Sequence, residues 1–261
     1  MILETIAQAN RERYAEIEKQ VPLEEIKSKA LSMNITDEFP FEKALAKDGI
    51  SYVCEVKKAS PSKGIIAEDF PYVQIAKDYE NAGASAISVL TEPKWFKGEN
   101  SYLQEISQNV KIPLLRKDFT VCEYQIYEAK IIGASAVLLI CALLDTETIR
   151  KWIEICDSLG LSALVEAHTE EEVQSALNAG ARVIGVNNRN LKDFTVDLTT
   201  CTSLRKLVPK EILFVGESGI KTAEDVQELR EAGVNGLLIG ETLMRNPDKK
   251  QALAKLNGAE L

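Results

Sequence analysis

Lysine and glutamate recur in this chain at the ends of short apolar runs, where an ionised side chain is costly unless it is paired or put to use. Glu55 and Lys57 close the run 52–57, Lys117 closes 113–117 with Asp118 directly after it, and Glu166 closes 163–166. Asn187, Asn188 and Arg189 follow the run that starts at Val183, and Glu217, Ser218 and Gly219 end the run 212–217. A carboxylate accepts a proton and an ammonium gives one, so a converging ring of the two suits general acid–base chemistry. The same residues could instead form a structural network of salt bridges.

The elements that carry them are set out by a repeat. Gly83-Ala84-Ser85-Ala86, Gly133-Ala134-Ser135-Ala136, Gly180-Ala181-Arg182-Val183 and Gly233-Val234-Asn235-Gly236 each lead into an apolar run. Each phrase reads as a helix stopped by a glycine and feeding a buried strand. The four runs 52–57, 113–117, 163–166 and 212–217 lie between these strands and bring the number to eight. Helical patterns at 71–81, 122–132, 145–159, 169–179 and 222–232 separate them. Eight alternating units over about 210 residues predict an α/β chain folded as a (β/α)8, or TIM, barrel. An open doubly wound sheet is the alternative, and the lack of a Gly-rich dinucleotide loop after the first strand argues against it. In a barrel, catalytic groups sit at the C-terminal strand ends, where the charged residues fall.

Residues 1–48 stand outside the repeat and form an N-terminal helical extension, with 49–261 as the barrel; together they are expected to make one structural domain. Ile2, Ile6, Tyr14, Ile17 and Val21 recur at helical spacing, and Pro22 is placed to open a second helix through Leu31. The extension either plugs the N-terminal face of the barrel or covers its catalytic end. The 261 residues carry 31 basic and 40 acidic side chains, a net charge of −9, which disfavours nucleic acid or an anionic membrane as partner. Neither a long apolar span nor a secretory signal is evident, so a cytoplasmic location is expected. The five cysteines are scattered, and the lone histidine, His168, cannot build a His-rich zinc site. A metal-free, cofactor-free mechanism is therefore expected.

Two loops suggest an anion. Glu217-Ser218-Gly219-Ile220 and Ile239-Gly240-Glu241-Thr242 set small residues where backbone N–H groups can meet a phosphate, as many barrels do after strands 7 and 8. In Glu55-Val56-Lys57-Lys58-Ala59-Ser60-Pro61-Ser62 the alternation of the strand turns Glu55 and Lys57 to one face, and the Ser60 hydroxyl lies within reach of an anion. Alternatively, Glu55 simply neutralises Lys57.

The segments 55–62, 114–119 (Leu-Leu-Arg-Lys-Asp-Phe), 164–166 (Leu-Val-Glu), 187–191 (Asn-Asn-Arg-Asn-Leu) and 216–220 (Gly-Glu-Ser-Gly-Ile) closely resemble those of indole-3-glycerol-phosphate synthases, and the likeness runs in order to Leu243-Met244-Arg245. The resemblance implies a carboxy-lyase of tryptophan biosynthesis. Its reaction is ring closure, decarboxylation and dehydration of 1-(o-carboxyphenylamino)-1-deoxyribulose 5-phosphate. It implies Lys117 as the acid of ring closure, with Lys57 as second acid and Glu166 as base. Glu55, Asn187 and Glu217 would orient and polarise these groups. Phe96, Phe119, Leu138 and Leu191 would form a slot for the anthranilate ring. Ser60, Arg189 and the backbone of Ser218, Gly219, Gly240 and Glu241 would hold the phosphate. Glu241 departs from the serine common in the family, and its side chain is expected to turn away from the anion. The resemblance also puts the N-terminal helices over the catalytic face. Two other functions fit a barrel with interior lysines: a Schiff-base aldolase on a sugar phosphate, or a non-catalytic phosphometabolite-binding protein. A monomer is expected, with association with other tryptophan-pathway enzymes left open.

Overall fold

The computed structural model describes residues 2–190 and 194–259. Eight parallel strands close a barrel: β1 (Ser51–Val56), β2 (Ala86–Leu90), β3 (Leu114–Lys117), β4 (Ala136–Ile140), β5 (Ser162–Ala167), β6 (Val183–Asn187), β7 (Leu213–Glu217) and β8 (Gly236–Ile239). Each pairs with its neighbours in sequence, and β8 closes on β1 with Cys54 in register with Ile239. Three helices precede the barrel: α1 (Ile2–Gln20), α2 (Leu23–Leu31) and α3 (Pro40–Leu45). Around it run α4 (Tyr72–Asn81), α5 (Asn100–Ser107), α6 (Tyr124–Ile131), α7 (Thr146–Ser158), α8 (Glu170–Asn178), α9 (Thr199–Arg205), α10 (Ala223–Glu231), α11 (Glu241–Met244) and α12 (Lys249–Leu256).

The repeated phrase is a C-cap. Gly83, Gly133, Gly180 and Gly233 all have φ between 83° and 93°, a left-handed conformation open to glycine at little cost. After α4 the Gly83 N–H meets Glu80 O at 3.0 Å and the Ala84 N–H meets Tyr79 O at 3.0 Å, the paired bonds of a Schellman motif. The same pair of bonds ends α6, α8 and α10. Local chemistry thus turns four helices into the strands that follow them.

Alternation then sorts the barrel interior. Val53, Leu115, Leu164 and Val215, on β1, β3, β5 and β7, belong to the inner apolar cluster. Two residues further along the same strands stand Glu55, Lys117, Glu166 and Glu217, which therefore face the same interior one layer higher. The outer faces of the strands pack with the helices in a separate and larger cluster.

The extension takes up both alternatives that its sequence leaves open. Helix α3 plugs the N-terminal end: Phe41 and Leu45 are fully buried in the inner cluster, and Ala44 O accepts the Ser51 hydroxyl at 2.7 Å. Helix α1 lies at the other end, where Ile2, Leu3 and Ile6 line the pocket described below. Pro22 caps α2 as its sequence predicts.

Strand bounds differ from the sequence reading at two proline- or lysine-bearing ends. Pro113 lacks the N–H a ladder needs, so β3 starts at Leu114, and Lys57 leaves the ladder after Val56. The β1 loop folds back as a two-stranded hairpin, with Ala59 opposite Ile65. Among the described residues no helix is long and apolar enough to cross a membrane.

Candidate active site

The C-terminal strand ends surround a pocket of about 560 Å³. On its floor Lys117 Nζ lies 3.2 Å from Glu166 Oε2 and 3.3 Å from Glu217 Oε2. Beside this group Lys57 Nζ sits 2.7 Å from Glu55 Oε1, and Ser88 Oγ donates to Glu55 Oε2 at 3.4 Å. Asn187 donates to Glu166 Oε1 at 3.3 Å and accepts the Arg189 N–H. All six polar residues that the sequence sets at strand ends for acid–base work therefore meet in one place.

Their electrostatics are uneven. Burial opposes the charge of Lys117, but Glu166, Glu217 and Glu55 outweigh it and hold the ammonium above the usual lysine range. Burial would likewise neutralise Glu166, yet Lys117, His168 and Asn187 keep its carboxyl well below the usual range. Glu217 goes the other way: burial raises it, Lys117 only partly compensates, and Glu166 and Glu55 repel its charge. Its Oε1 is buried and, among the described residues, meets no hydrogen-bond donor. That oxygen occupies the space a side chain would fill at Gly185, where a Cβ would lie 2.6 Å away. The cluster thus holds a charged acid, a charged base and a carboxyl close to taking up a proton.

Above the floor, the pocket is apolar on one side. The rings of Phe96 and Phe119 stand 6.0 Å apart with planes at 44°, and Leu138 adds to the wall. Glu92 fixes the Phe96 turn by accepting the N–H groups of Lys94, Trp95 and Phe96. Leu191 lies outside the described residues. On the other side Ser60, Arg189, Ser218, Gly219, Gly240 and Glu241 line the pocket together. Ser218 and Gly219 have successive positive φ values of 65° and 84°, a backbone shape suited to presenting N–H groups to an anion. Glu241 turns its carboxylate to Arg245 at 3.1 Å and to Lys63 at 3.7 Å, so two cations face the charge it brings to the rim.

Helix α1 completes the wall, at the catalytic face where the resemblance puts it, but the polar residues that anchor it there are not marked in the sequence reading. Asn10 of α1 donates to Asp118 Oδ1 at 2.8 Å and to Phe119 O at 2.9 Å, and Arg13 pairs with Asp118 Oδ2 at 3.0 Å. Tyr14 donates to Glu128 and accepts from the fully buried Arg116 at 2.7 Å. These contacts fix α1 beside the strand that bears Lys117. The helical spacing of Ile2 and Ile6 marked an apolar stripe, but nothing local says which end of a barrel it covers. The sequence reading weighs His168 only as a metal ligand, whereas the structure stands its ring against Glu166. Among the described residues no group of three His, Cys, Asp or Glu side chains could hold a metal ion.

A closed barrel with paired lysines and carboxylates on the floor of an apolar pocket has the build of a (β/α)8-barrel enzyme working by acid–base chemistry. A sequence model of the indole-3-glycerol phosphate synthase family matches residues 3–256. An indole-3-glycerol phosphate synthase from Ruminiclostridium cellulolyticum is 56% identical over 259 residues, which span 99% of this chain and 100% of the relative. Another, from Endomicrobium trichonymphae, is 51% identical over 98% of this chain and 99% of its own length. The chain belongs to the indole-3-glycerol phosphate synthase family. Among solved structures, a thiamine phosphate pyrophosphorylase from Pyrococcus furiosus shares the fold, with a TM-score of 0.58 at 18% identity, covering 80% of this chain and 94% of that one.

Proposed function

We propose that this chain converts 1-(o-carboxyphenylamino)-1-deoxyribulose 5-phosphate into indole-3-glycerol phosphate, carbon dioxide and water. The observation that carries the reading is the ammonium of Lys117, held between two carboxylates at the base of an apolar slot. The anthranilate ring lies between Phe96, Phe119 and Leu138, and the phosphate lies towards Arg189, Ser60 and the backbone of Ser218, Gly219, Gly240 and Glu241. This brings the carboxylate-bearing ring carbon over the ketone, so the condensation becomes a reaction of neighbours.

As that carbon forms a bond to the ketone carbon, Lys117 gives a proton to the ketone oxygen. The bond to the carboxylate then breaks, carbon dioxide leaves, and its electron pair returns to the ring. Lys57 protonates the new hydroxyl, which departs as water, while Glu166 takes the proton lost in forming the indole double bond. Glu55 orients Lys57, Asn187 orients Glu166, and Glu217 steadies Lys117. The substrate is a free phosphorylated metabolite, and the reaction is placed in the cytoplasm.

The electrostatics weigh against a Schiff-base aldolase. That chemistry needs a neutral amine as nucleophile, whereas Glu166 and Glu217 hold Lys117 charged. The test is to mix the purified protein with the carboxyphenylamino-deoxyribulose phosphate and follow indole fluorescence beside a Lys117→Ala sample. Signal from the parent alone is expected. A folded parent that gives none overturns the reading, and a covalent adduct trapped by borohydride would favour the aldolase.

A further inference from the structure

The single histidine of the chain is left unused by the scheme above. His168 follows β5 directly, two residues beyond Glu166, so the alternation of the strand brings its ring to the side of that carboxylate. The ring nitrogen Nδ1 lies 3.2 Å from Glu172 Oε2, and the same oxygen accepts the His168 backbone N–H at 2.7 Å. Glu172 is itself held in the first turn of α8, where its own N–H meets the N-cap Thr169 Oγ1. The other ring nitrogen, Nε2, is buried, makes no well-aligned hydrogen bond among the described residues, and lies 3.3 Å from Glu166 Oε1.

An ionised carboxylate only accepts hydrogen bonds, so Glu172 requires a proton on Nδ1. A neutral ring with its proton there would turn the Nε2 lone pair onto an oxygen of Glu166, two acceptors in contact away from water. A proton between Nε2 and Oε1 removes that conflict. We propose that His168 is an imidazolium clamped between Glu172 and Glu166, and that it acts as a positioning residue, holding Oε1 of the base so that Oε2 faces Lys117 and the substrate. The proposal rests on the assignment of Glu166 as base.

The groups around the ring agree with it. Glu166 and Glu172 face it directly; Asn187 from β6 and Lys117 from β3 hold Glu166 from other sides. Cys141, after β4, donates its thiol to Glu172 O and carries no charge, since burial pushes it up to about 12. Burial opposes the charge on His168, but the close contacts and charges of Glu166 and Glu172 push it up to about 10.

Because the chain has one histidine, its ring signals need no assignment. In the full chain labelled with 15N-histidine, both ring nitrogens are expected to stay protonated past about pH 8, well above the ordinary midpoint near 6.5. Glu172→Gln and Glu166→Gln should each bring the midpoint down. A parent ring that titrates near 6.5 overturns the clamp. For the positioning role, His168→Asn should lower kcat about tenfold or more with KM within about threefold, and should move the acid limb of kcat to higher pH, because Glu166 then protonates more easily. Glu172→Gln, which keeps the ring in place, should shift kcat and the acid limb in the same direction. An unchanged kcat and pH profile in both variants overturns the positioning role. If the folded parent does not turn over the substrate, the proposed function fails and the positioning role falls with it, while the ring titration still decides the clamp.

Discussion

Replacing Lys117 by methionine keeps most of the side-chain volume and removes the charge between Glu166 and Glu217. At an effective dielectric constant of about 20, each of the two contacts carries about 5 kcal/mol of Coulomb attraction before the cost of desolvation is set against it. Breaking a buried pair by removing one partner costs about 3–5 kcal/mol, because a charge is left buried without compensation. Two carboxylates in one site limit that loss by taking up a proton, so at least one of them acquires a pKa above its unfolded value. A carboxyl raised in this way contributes fully below the unfolded pKa of about 4.3, and its contribution is lost as pH climbs through the folded value. Relative to the parent, Lys117→Met is therefore expected to lose about 3 kcal/mol at pH 8 and only about 1 kcal/mol at pH 5.5. Urea denaturation at the two pH values measures this. With substrate, the same samples should turn over about 10²–10⁴ times more slowly. Equal destabilisation at both pH values would refute the buried charge cluster. A rate loss below about tenfold would refute Lys117 as the acid of ring closure.

Glu217→Gln should be neutral or stabilising at pH 8 and lose that advantage towards pH 5, since a raised carboxyl pKa works against the folded parent only as pH rises; thermal melts at both pH values test the sign, and turnover should fall because Lys117 loses a partner. A Cβ at Gly240 would stand 2.5 Å from Glu55 Oε1 and 2.8 Å from Lys57 Nζ, so Gly240→Ala should displace that pair. It is expected to raise KM and lower kcat with little loss of stability, and steady-state kinetics beside a melting curve would show a different pattern if the pair were not held there. Phe41→Ala empties the plug at the far end of the barrel and should cost about 3–5 kcal/mol while the folded protein keeps its kcat, measured by denaturation and by assay at low temperature.

Much of the barrel was open to reading because its signals are local. A left-handed glycine after a helix, an apolar run after the glycine, and inward-facing residues two apart on a strand all act over a few residues. The charged strand ends were legible for the same reason: Glu55, Lys117, Glu166 and Glu217 each stand two places beyond an apolar interior residue, so a barrel must turn them inward together. The third helix of the extension, the hairpin after β1 and the aid His168 gives to Glu166 were not legible. The helix depends on partners far along the chain, since Phe41 joins an inner apolar cluster drawn from every strand of the barrel. The other two are local, Ala59 against Ile65 and His168 against Glu166, but their residue types carry no distinctive turn or pairing signal.

By itself the sequence determined the eight alternating units, the end of the barrel where charge gathers, and the residue types available there, since propensity, capping and alternation are properties of short stretches. Tertiary structure alone decided which charges pair across the barrel. Closure of β8 on β1 brings β3, β5 and β7 around one axis, so that Lys117 reaches both Glu166 and Glu217. The same closure sets Glu217 Oε1 against Gly185 with no donor among the described residues, and it creates the two barrel ends that α1 and α3 separately cover. Those outcomes depend on distances across the barrel, which no spacing along the chain encodes.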